Sequence, residues 1–255
     1  MLDEAPKYGL YEDGHLHDLM YTDTGDFRFW VGEAQRCSGD TILELACGTG
    51  GVCVGLAQAG YAVTGMDLSS KMLEVARQKG EGKSIQVKWI EGDMRSFNLG
   101  ARFSLAISAG NSLCHLLDRA SIEGCLSAVR HHLEPEGRFI VSVFVPSPAL
   151  LDRHHSTEEP FAEYADPKTG EKVTVTHTHE YEPDTQVKRV KLRHYLPKGI
   201  AGTTTLDMRM YFPQELDALL HYNGFDILHK WGSYEREPFG PDSQQQVAVC
   251  GRTAA

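Results

Sequence analysis

The sequence predicts an α/β fold, in which a mostly parallel sheet carries helices on both faces and an antiparallel β meander is inserted late in the chain. Two observations predict it. Apolar strands alternate with helices between Thr41 and Val145, and such alternation implies parallel strands, because right-handed crossovers need a helix between them. Beyond Pro146-Ser-Pro148, strand-like runs follow one another without helices, which is typical of antiparallel pairing.

The regular part of the chain predicts five strands and three helices. We expect strands at 41–45, 61–66, 85–90, 103–108 and 138–145, and helices at 52–59, 70–79 and 120–132. Ser69 is well placed to cap the second helix. Gly60 and Gly80 lie where the first two helices should end.

The later part predicts a three-stranded meander with strands at 172–181, 186–196 and 203–212. Turn residues separate these strands at Pro183-Asp184-Thr185 and Pro197-Lys-Gly199. The polar, proline-containing stretch up to Pro167 predicts a loop. A helix at 213–223, capped by Gly224, and strands at 225–231 and 245–251 then complete the first sheet. We therefore divide the chain at 1–37, 38–145, 146–212 and 213–255.

The run Thr41-Ile-Leu-Glu-Leu-Ala-Cys-Gly-Thr-Gly-Gly51 passes from a strand through a glycine-rich turn into a helix. Glycines let the backbone bend sharply and let a ligand come close to the main chain. A dinucleotide fingerprint would have glycine at the position of Ala46. Glu44, at the mouth of the strand, repels a pyrophosphate and suits an ammonium or a sulfonium group. A dehydrogenase is therefore the weaker interpretation.

Four segments resemble motifs of class I S-adenosylmethionine (SAM)-dependent methyltransferases, in the family's order. Glu44-Leu-Ala-Cys-Gly-Thr-Gly50 resembles the first motif, and Met66-Asp-Leu-Ser-Ser-Lys-Met-Leu73 the second. Glu91-Gly-Asp-Met-Arg-Ser-Phe97 resembles the adenine-binding segment, and Leu133-Glu-Pro-Glu-Gly137 the turn before the fifth strand, with Glu136 in place of a glycine. The resemblance implies a Rossmann-like, seven-stranded sheet whose last two strands form an antiparallel pair at its edge.

The resemblance also implies a binding site for SAM and its product S-adenosylhomocysteine. In the family, the acid at the position of Asp67 holds the ribose hydroxyls. The acid at Asp93 accepts the adenine amino group, and the next backbone N–H, that of Met94, faces the ring. The expected cofactor contacts are Tyr11, Tyr21, Glu44, Ala46, Gly48, Gly50, Asp67, Leu68, Met72, Asp93, Met94 and Ser108.

Two regions outside the core are expected to enclose the ligands. The N-terminal segment is rich in aromatic residues, namely Tyr8, Tyr11, Tyr21, Phe27, Phe29 and Trp30. In similar methyltransferases a leading helix with tyrosines folds over SAM, and Tyr21 fits that pattern best. Aromatic packing on the sheet is the alternative. The meander lies where small-molecule methyltransferases insert a roof over the methyl group.

Ser108-Ala-Gly-Asn-Ser-Leu-Cys-His-Leu-Leu117 follows the fourth strand and resembles a segment of glycine N-methyltransferase and its bacterial relatives. Methyl transfer needs an oriented nucleophile and, for a protonated amine, a base. We expect His115 to be that base, Asn111 to orient the nucleophile or a substrate carboxylate, and Tyr21 to assist. Structural roles in the loop are the alternatives for His115 and Asn111.

Composition restricts the partners. The chain has 25 Lys and Arg against 35 Asp and Glu, a formal charge of -10, whereas a protein that grips a phosphate backbone usually needs a basic surface. The start of the chain is unlike a signal peptide, no stretch is long and apolar enough to span a bilayer, and the cysteines show no C-x-x-C spacing. We therefore expect a cytoplasmic enzyme that binds neither membrane nor nucleic acid. An exposed meander edge could form a homodimer.

Two further patterns in the meander leave alternatives open. His177, His179 and His194 could bind zinc, but no acid or cysteine completes the set, and we expect no metal. Alternation places Arg189, Lys191 and Arg193 on one face, which is either solvated or a site for an acidic substrate or partner.

The sequence thus predicts a SAM-dependent methyltransferase acting on a nitrogen or oxygen atom of a small molecule. The alternatives are a protein or nucleic-acid methyltransferase and a SAM-binding regulator without activity. The acidic composition and the absence of an N-P-P-Y motif after the fourth strand argue against the nucleic-acid enzyme.

Overall fold

The structure, a computed structural model, describes residues 9–21, 27–167 and 169–253. Tyr8 and part of the predicted 1–37 segment lie outside these residues. In chain order the strands are β1 (Thr41–Leu45), β2 (Ala62–Asp67), β3 (Lys88–Glu91), β4 (Phe103–Ser108), β5 (Leu133–Phe144), β6 (His154–Ala165), β7 (Lys172–Glu182), β8 (Val187–Leu196), β9 (Gly199–Arg209), β10 (Phe225–Trp231) and β11 (Gln245–Arg252). The helices are α1 (Gly14–Met20), α2 (Phe27–Ala34), α3 (Gly51–Gln58), α4 (Ser70–Glu81), α5 (Arg119–His132) and α6 (Pro213–Tyr222), with a 3₁₀ helix at Ser112–His115.

The large sheet has seven strands in the order β10-β11-β5-β4-β1-β2-β3. The neighbours β1–β2, β2–β3, β1–β4 and β4–β5 are parallel. At the other edge, β11 pairs antiparallel with both β5 and β10. The predicted fold class is therefore confirmed, including the antiparallel pair formed by the last two strands.

Alternation along the buried strands divides the core into two layers. On β1, Leu43 and Leu45 belong to a cluster with apolar residues of α5 and α6, such as Leu126 and Leu216. Ile42 belongs to a second cluster with residues of α2, α3 and α4. Successive side chains of a strand point to opposite faces, so the apolar run of the central strands needs helices on both sides.

Some predicted boundaries in this sheet were wrong. The expected turn at 133–137 is the beginning of β5, because Leu133 pairs with Phe103 and a register shift follows before Leu105. Ser69 caps α4 by accepting from the Met72 N–H at 3.2 Å, as predicted. However, α4 continues past Gly80 to Glu81, since a glycine is tolerated in the last turn of a helix.

The small sheet has four antiparallel strands in the order β6-β7-β8-β9, and we call it the roof. The sequence predicted its last three strands but took β6 for a loop. Almost every residue of β6 is exposed or half-buried, so the strand has no apolar alternation to reveal it. Its pairing with β7 shifts register on either side of Glu159 and Pro160, and an edge strand with such irregularities tolerates proline.

The N-terminal helix α1 packs under the roof. Leu16 and Met20 of α1 are buried against Val175, Val190 and Leu192 of the roof in a third apolar cluster.

No helix within the described ranges is long and apolar enough to cross a membrane.

Tyr211 joins the roof to the core at the end of β9. Its side chain is fully buried, and its hydroxyl donates to the Leu116 carbonyl at 2.6 Å. The Gln246 side chain of β11 donates to the Tyr211 carbonyl at 2.7 Å. These bonds fix where the roof meets the loop after β4.

We expect Tyr211→Phe to lower the free energy of unfolding by about 1–3 kcal/mol, because it leaves the buried Leu116 carbonyl without its donor. Urea denaturation measures this change. Tyr222→Phe is the matched control, since Tyr222 is 84% exposed and should unfold like wild type. Equal stability of the two variants would show that this bond does not hold the roof to the core.

Candidate cofactor and acceptor site

A cavity of about 1600 Å³ lies at the carboxyl edge of the large sheet, beneath the roof and beside α1. In open α/β sheets, ligands bind at this edge. Most of the predicted site residues line it: Tyr11, Tyr21, Glu44, Ala46, Gly48, Asp67, Leu68, Met72, Asp93, Met94, Asn111 and His115. Ligand pockets commonly measure about 300–1000 Å³, so this cavity has room for two molecules side by side.

The glycine turn between β1 and α3 forms the floor of the cavity. Ala46, Gly48 and Gly50 have φ of 48°, 55° and 77°, a left-handed conformation that glycine adopts most readily. A Cβ on Gly48 would meet only the flexible end of Met72, at 3.3 Å. The Gly48 backbone therefore faces the open cavity, where a ligand can come close to it.

Two predicted cofactor residues do not line the cavity. Gly50 lies behind the turn, where a Cβ would be 2.4 Å from the Trp89 ring and 3.0 Å from Ala76. A glycine is needed at this position so that the turn can pack against α4 and β3. Ser108 is fully buried at the end of β4, and only the following residue, Ala109, reaches the cavity wall.

Asp67 connects the end of β2 to the glycine turn. Its carboxylate accepts from the Gly48 N–H and from the Ser69 N–H, each at 2.8 Å. Burial raises the pKa of Asp67, and these two N–H groups act against that rise. Each carboxylate oxygen keeps a further lone pair, so Asp67 can still accept two hydroxyl groups from a ligand.

Two other acids line the cavity. Glu44 is only 4% exposed and accepts from the Cys53 thiol at 2.8 Å. Asp93 forms a two-pronged ion pair with Arg95, which also lines the cavity. The bond from Arg95 lowers the pKa of Asp93. Glu44 and Asp67 thus make the surroundings of the glycine turn acidic, whereas Arg95 balances the charge of Asp93.

The N-terminal segment is fastened across the turn by polar bonds. Asp18 of α1 accepts from the Thr49 hydroxyl at 2.6 Å and pairs with Lys79 at 2.6 Å. The Ser69 hydroxyl donates to the Tyr11 carbonyl. The described part of this segment therefore closes one side of the cavity.

Tyr11 and His115 meet across the cavity wall. The Tyr11 hydroxyl lies 2.9 Å from His115 Nε2, and the rings stand edge to face at 5.3 Å. Burial raises the pKa of Tyr11 far above neutrality and lowers the pKa of His115. Both groups are therefore neutral, and in the tautomer that leaves Nε2 without a hydrogen the phenol donates to the imidazole.

Tyr21 and Asn111 occupy different parts of the wall. Tyr21 stacks on His17 at 4.9 Å and contacts Phe161 of β6 at 5.7 Å, and burial raises its pKa to about 12. Asn111 has a φ of 68°, and its side-chain oxygen accepts from the Phe144 N–H at 2.7 Å. Asn111 thus anchors the loop to β5, which leaves its amide N–H₂ for the cavity.

The sequence predicts the roof above the methyl group but does not count its residues among the site residues. Phe161, His177, Lys188, Val190, Leu192, Leu206 and Met208 all line the cavity from above. His177 is one of the three histidines of the zinc alternative in the sequence. For Lys188 a signal was present, since alternation along β8 places it on the same face as Val190 and Leu192.

The outer face of the roof is solvated and charge-paired. Arg189 pairs with Asp207 at 3.0 Å and with Glu182 at 3.3 Å, and Arg193 pairs with Glu158 at 3.1 Å. On the inner face, His194 lies within bonding distance of Tyr164 and Thr204. In the described part of the chain no group of three His, Cys, Asp or Glu residues could hold a metal ion.

The middle of the chain matches known proteins in sequence. Residues 42–137 match the family model described as a methyltransferase domain. A dTDP-3-amino-3,6-dideoxy-alpha-D-glucopyranose N,N-dimethyltransferase of Streptomyces fradiae is 35% identical over 101 residues, which is 40% of this chain and 38% of that relative. The chain thus spans well under half the length of this curated relative.

Two solved structures share the fold over most of the chain. The CcbJ methyltransferase of Streptomyces caelestis has a TM-score of 0.84 at 24% identity, covering 96% of this chain and 99% of that one. SAM-bound CalS10, an amino pentose methyltransferase of Micromonospora echinaspora, has a TM-score of 0.68 at 21% identity, covering 89% and 92%. Together with the family match, they confirm the predicted resemblance to SAM-dependent methyltransferases.

The bond between Tyr11 and His115 predicts a measurable pKa. We expect His115 to titrate below 6.5 and its pKa to rise in Tyr11→Phe, because that variant removes a donor that favours the neutral ring. Histidine-selective NMR follows the titration. Tyr21→Phe removes a hydroxyl elsewhere on the wall and serves as the control. A His115 pKa that is the same in Tyr11→Phe and wild type would contradict the hydrogen-bond geometry.

Proposed function

We propose that this protein is a SAM-dependent methyltransferase that methylates a nitrogen or oxygen atom of a small molecule. One observation carries the proposal. A single cavity joins an acidic floor, built on the glycine turn, to a roofed space large enough for a second molecule. The match of residues 42–137 to a methyltransferase domain supports it.

The residues on the floor fit the cofactor. Asp67 has free lone pairs for the ribose hydroxyls, and Glu44 offers a negative charge near the glycine turn. Asp93 and the Met94 N–H would receive the adenine, while Tyr11, Ala46, Gly48, Leu68 and Met72 provide contact surface. When bound, SAM supplies a methyl group that its sulfonium has already activated.

The residues on the acceptor side would position a nucleophile and take its proton. His115 is neutral at neutral pH and can accept a proton, provided that the acceptor displaces Tyr11 from its nitrogen. Asn111 and Tyr21 would orient the acceptor through the amide N–H₂ and the phenol. A neutral phenol with a raised pKa donates hydrogen bonds and does not act as a base.

Nitrogen is the favoured acceptor atom. The relative from Streptomyces fradiae is named as an amino-sugar N,N-dimethyltransferase, and the CalS10 structure is described as that of an amino pentose methyltransferase. An amino sugar is therefore the class to screen first, with labelled SAM and purified protein.

The proposal also concerns the surroundings of the enzyme. A small-molecule partner suits the formal charge of -10 better than a nucleic acid does. The six cysteines are free thiols, which suit the reducing cytoplasm. The exposed edge strand β6 would be the contact in a homodimer.

We expect Gly48→Val to weaken S-adenosylhomocysteine binding at least tenfold, because the side chain would enter the cavity next to the turn. Titration calorimetry measures the affinity. Gly60→Val is the matched control: Gly60 also has a positive φ, of 96°, but open space around it, so this variant carries similar backbone strain without touching the cavity. Equal affinities in the two variants would place the ligand elsewhere.

Wild type should also gain thermal stability from S-adenosylhomocysteine and none from NAD, because only a ligand that binds the folded state raises the melting temperature. A shift with NAD alone would overturn the proposed function.

We expect His115→Asn to lower turnover of an acceptor found in the screen by about 10²- to 10⁴-fold, the range for loss of a general base, with S-adenosylhomocysteine affinity unchanged. His131→Asn, on the exposed end of α5, is the control. A raised KM with unchanged kcat would assign His115 to positioning instead, and wild-type kinetics would remove it from the site.

A further inference from the structure

Lys188 differs from the other cations of the cavity wall. The lysine and arginine side chains that line the cavity are those of Lys71, Lys79, Arg95 and Lys188. The first three pair with Glu74, Asp18 and Asp93, at distances between 2.5 and 3.7 Å. Among the described residues, Lys188 has no carboxylate within 4 Å.

The position of Lys188 makes this lack of a partner costly. The residue is 6% exposed and stands between Tyr181 of β7 and Met208 of β9 in the register of the roof. Val190 and Leu192, two and four residues further along β8, belong to an apolar cluster. A buried charge without a partner is strongly unfavourable, so an anion in the cavity would stabilise the ammonium group.

Among the described residues, no group within 4 Å of the Lys188 ammonium supplies that anion. Burial, and after it the charge of Lys188, lowers the pKa of His177 and lowers that of His179 to about 4, so both imidazoles are neutral. Burial raises the pKa of Tyr181, which keeps that phenol neutral. The Glu159 carboxylate of β6 attracts Lys188 only from a distance. It lies 3.4 Å from His155 Nε2 and 3.8 Å from His177 Nε2.

Charge is therefore distributed unevenly along the cavity. The floor carries Glu44 and Asp67, while its Asp93 is paired with Arg95. The roof carries Lys188 with a neutral imidazole, His177, on the same wall. Nε2 of His177 faces Glu159, but its Nδ1 is buried without a hydrogen-bond partner. In the tautomer that carries its hydrogen on Nδ1, this imidazole can donate to an anion beside the ammonium group. The two ends thus suit ligand groups of opposite charge.

We propose that Lys188, with His177, binds an anionic group of the methyl acceptor, a carboxylate or a phosphate, so that the substrates are amines or alcohols that also carry a negative charge. This inference rests on the proposed function only in that it identifies the bound molecule as the methyl acceptor. The site itself is defined by the cavity wall and can be tested without methyl transfer.

The test uses the complex with S-adenosylhomocysteine and two probes, inorganic phosphate and acetate. Lysine-selective NMR follows the Lys188 ammonium, assigned by its absence in Lys188→Arg. We expect at least one probe to shift this signal and to raise its titration midpoint from about 8, because a bound anion favours the charged form. Phosphate alone would indicate a phosphorylated acceptor, and acetate a carboxylate.

Variants separate the charge from the shape of the side chain. Lys188→Met should weaken the binding of the effective probe about tenfold or more and leave S-adenosylhomocysteine affinity unchanged, since methionine suits an apolar wall. Lys188→Arg should retain binding and also retain it above pH 8, where wild type loses it. Lys191→Met, on the exposed opposite face of β8, should behave as wild type.

Two results would overturn the inference. One is a Lys188 signal that neither probe perturbs in protein that binds S-adenosylhomocysteine. The other is binding of the probe by Lys188→Met at wild-type strength. If S-adenosylhomocysteine itself fails to bind, the proposed function fails, whereas the response of Lys188 to the anions still decides the anion site.

Discussion

The site depends on the hydrogen bonds that the Asp67 carboxylate accepts. It accepts from Gly48 in the turn after β1 and from Ser69 at the start of α4. Two adjacent strands and the helix that follows the second are thereby held at one edge of the sheet. Since Ser69 also caps α4 and contacts Tyr11, the same short segment positions the N-terminal wall. A site assembled from distant parts of a chain needs such a common anchor.

Two further connections complete the enclosure. Asp18 joins α1 to the turn through Thr49 and Lys79, and Tyr211 joins the roof to the loop that carries His115. The first depends on partly exposed charges, and pairs of that kind stabilise proteins only weakly. The second is a buried bond, which is costly to lose. Of these two polar connections, the one that holds the roof is therefore the costlier to lose.

Charged side chains are distributed unevenly along the cavity. Acids cluster around the glycine turn, where the sequence resemblance implies that a cationic cofactor binds, and the one cation without an acidic partner among the described lining residues lies in the roof. Burial also keeps Tyr11, Tyr21 and His115 neutral at neutral pH, because the low dielectric disfavours their charged forms. Proton removal from an ammonium acceptor would thus fall to a neutral imidazole rather than to a phenolate.

The sequence by itself determined the parallel strands of the large sheet and the helices α3, α4 and α5 between them, because those features follow from local patterns of apolar alternation, capping and turn residues. The resemblance to a known family, and not a local pattern, assigned Asp67 and Asp93 to the cofactor. Tertiary structure decided the rest. The strand β6 exists through pairing with β7 and not through its own pattern. Gly50 turns away from the cavity because Trp89 packs against it. Tyr11 meets His115 across 104 residues of chain, and Lys188 has no carboxylate partner among the described residues because the roof places it among apolar and neutral groups. Contacts between residues so far apart leave no trace in local spacing, so only the folded chain shows them.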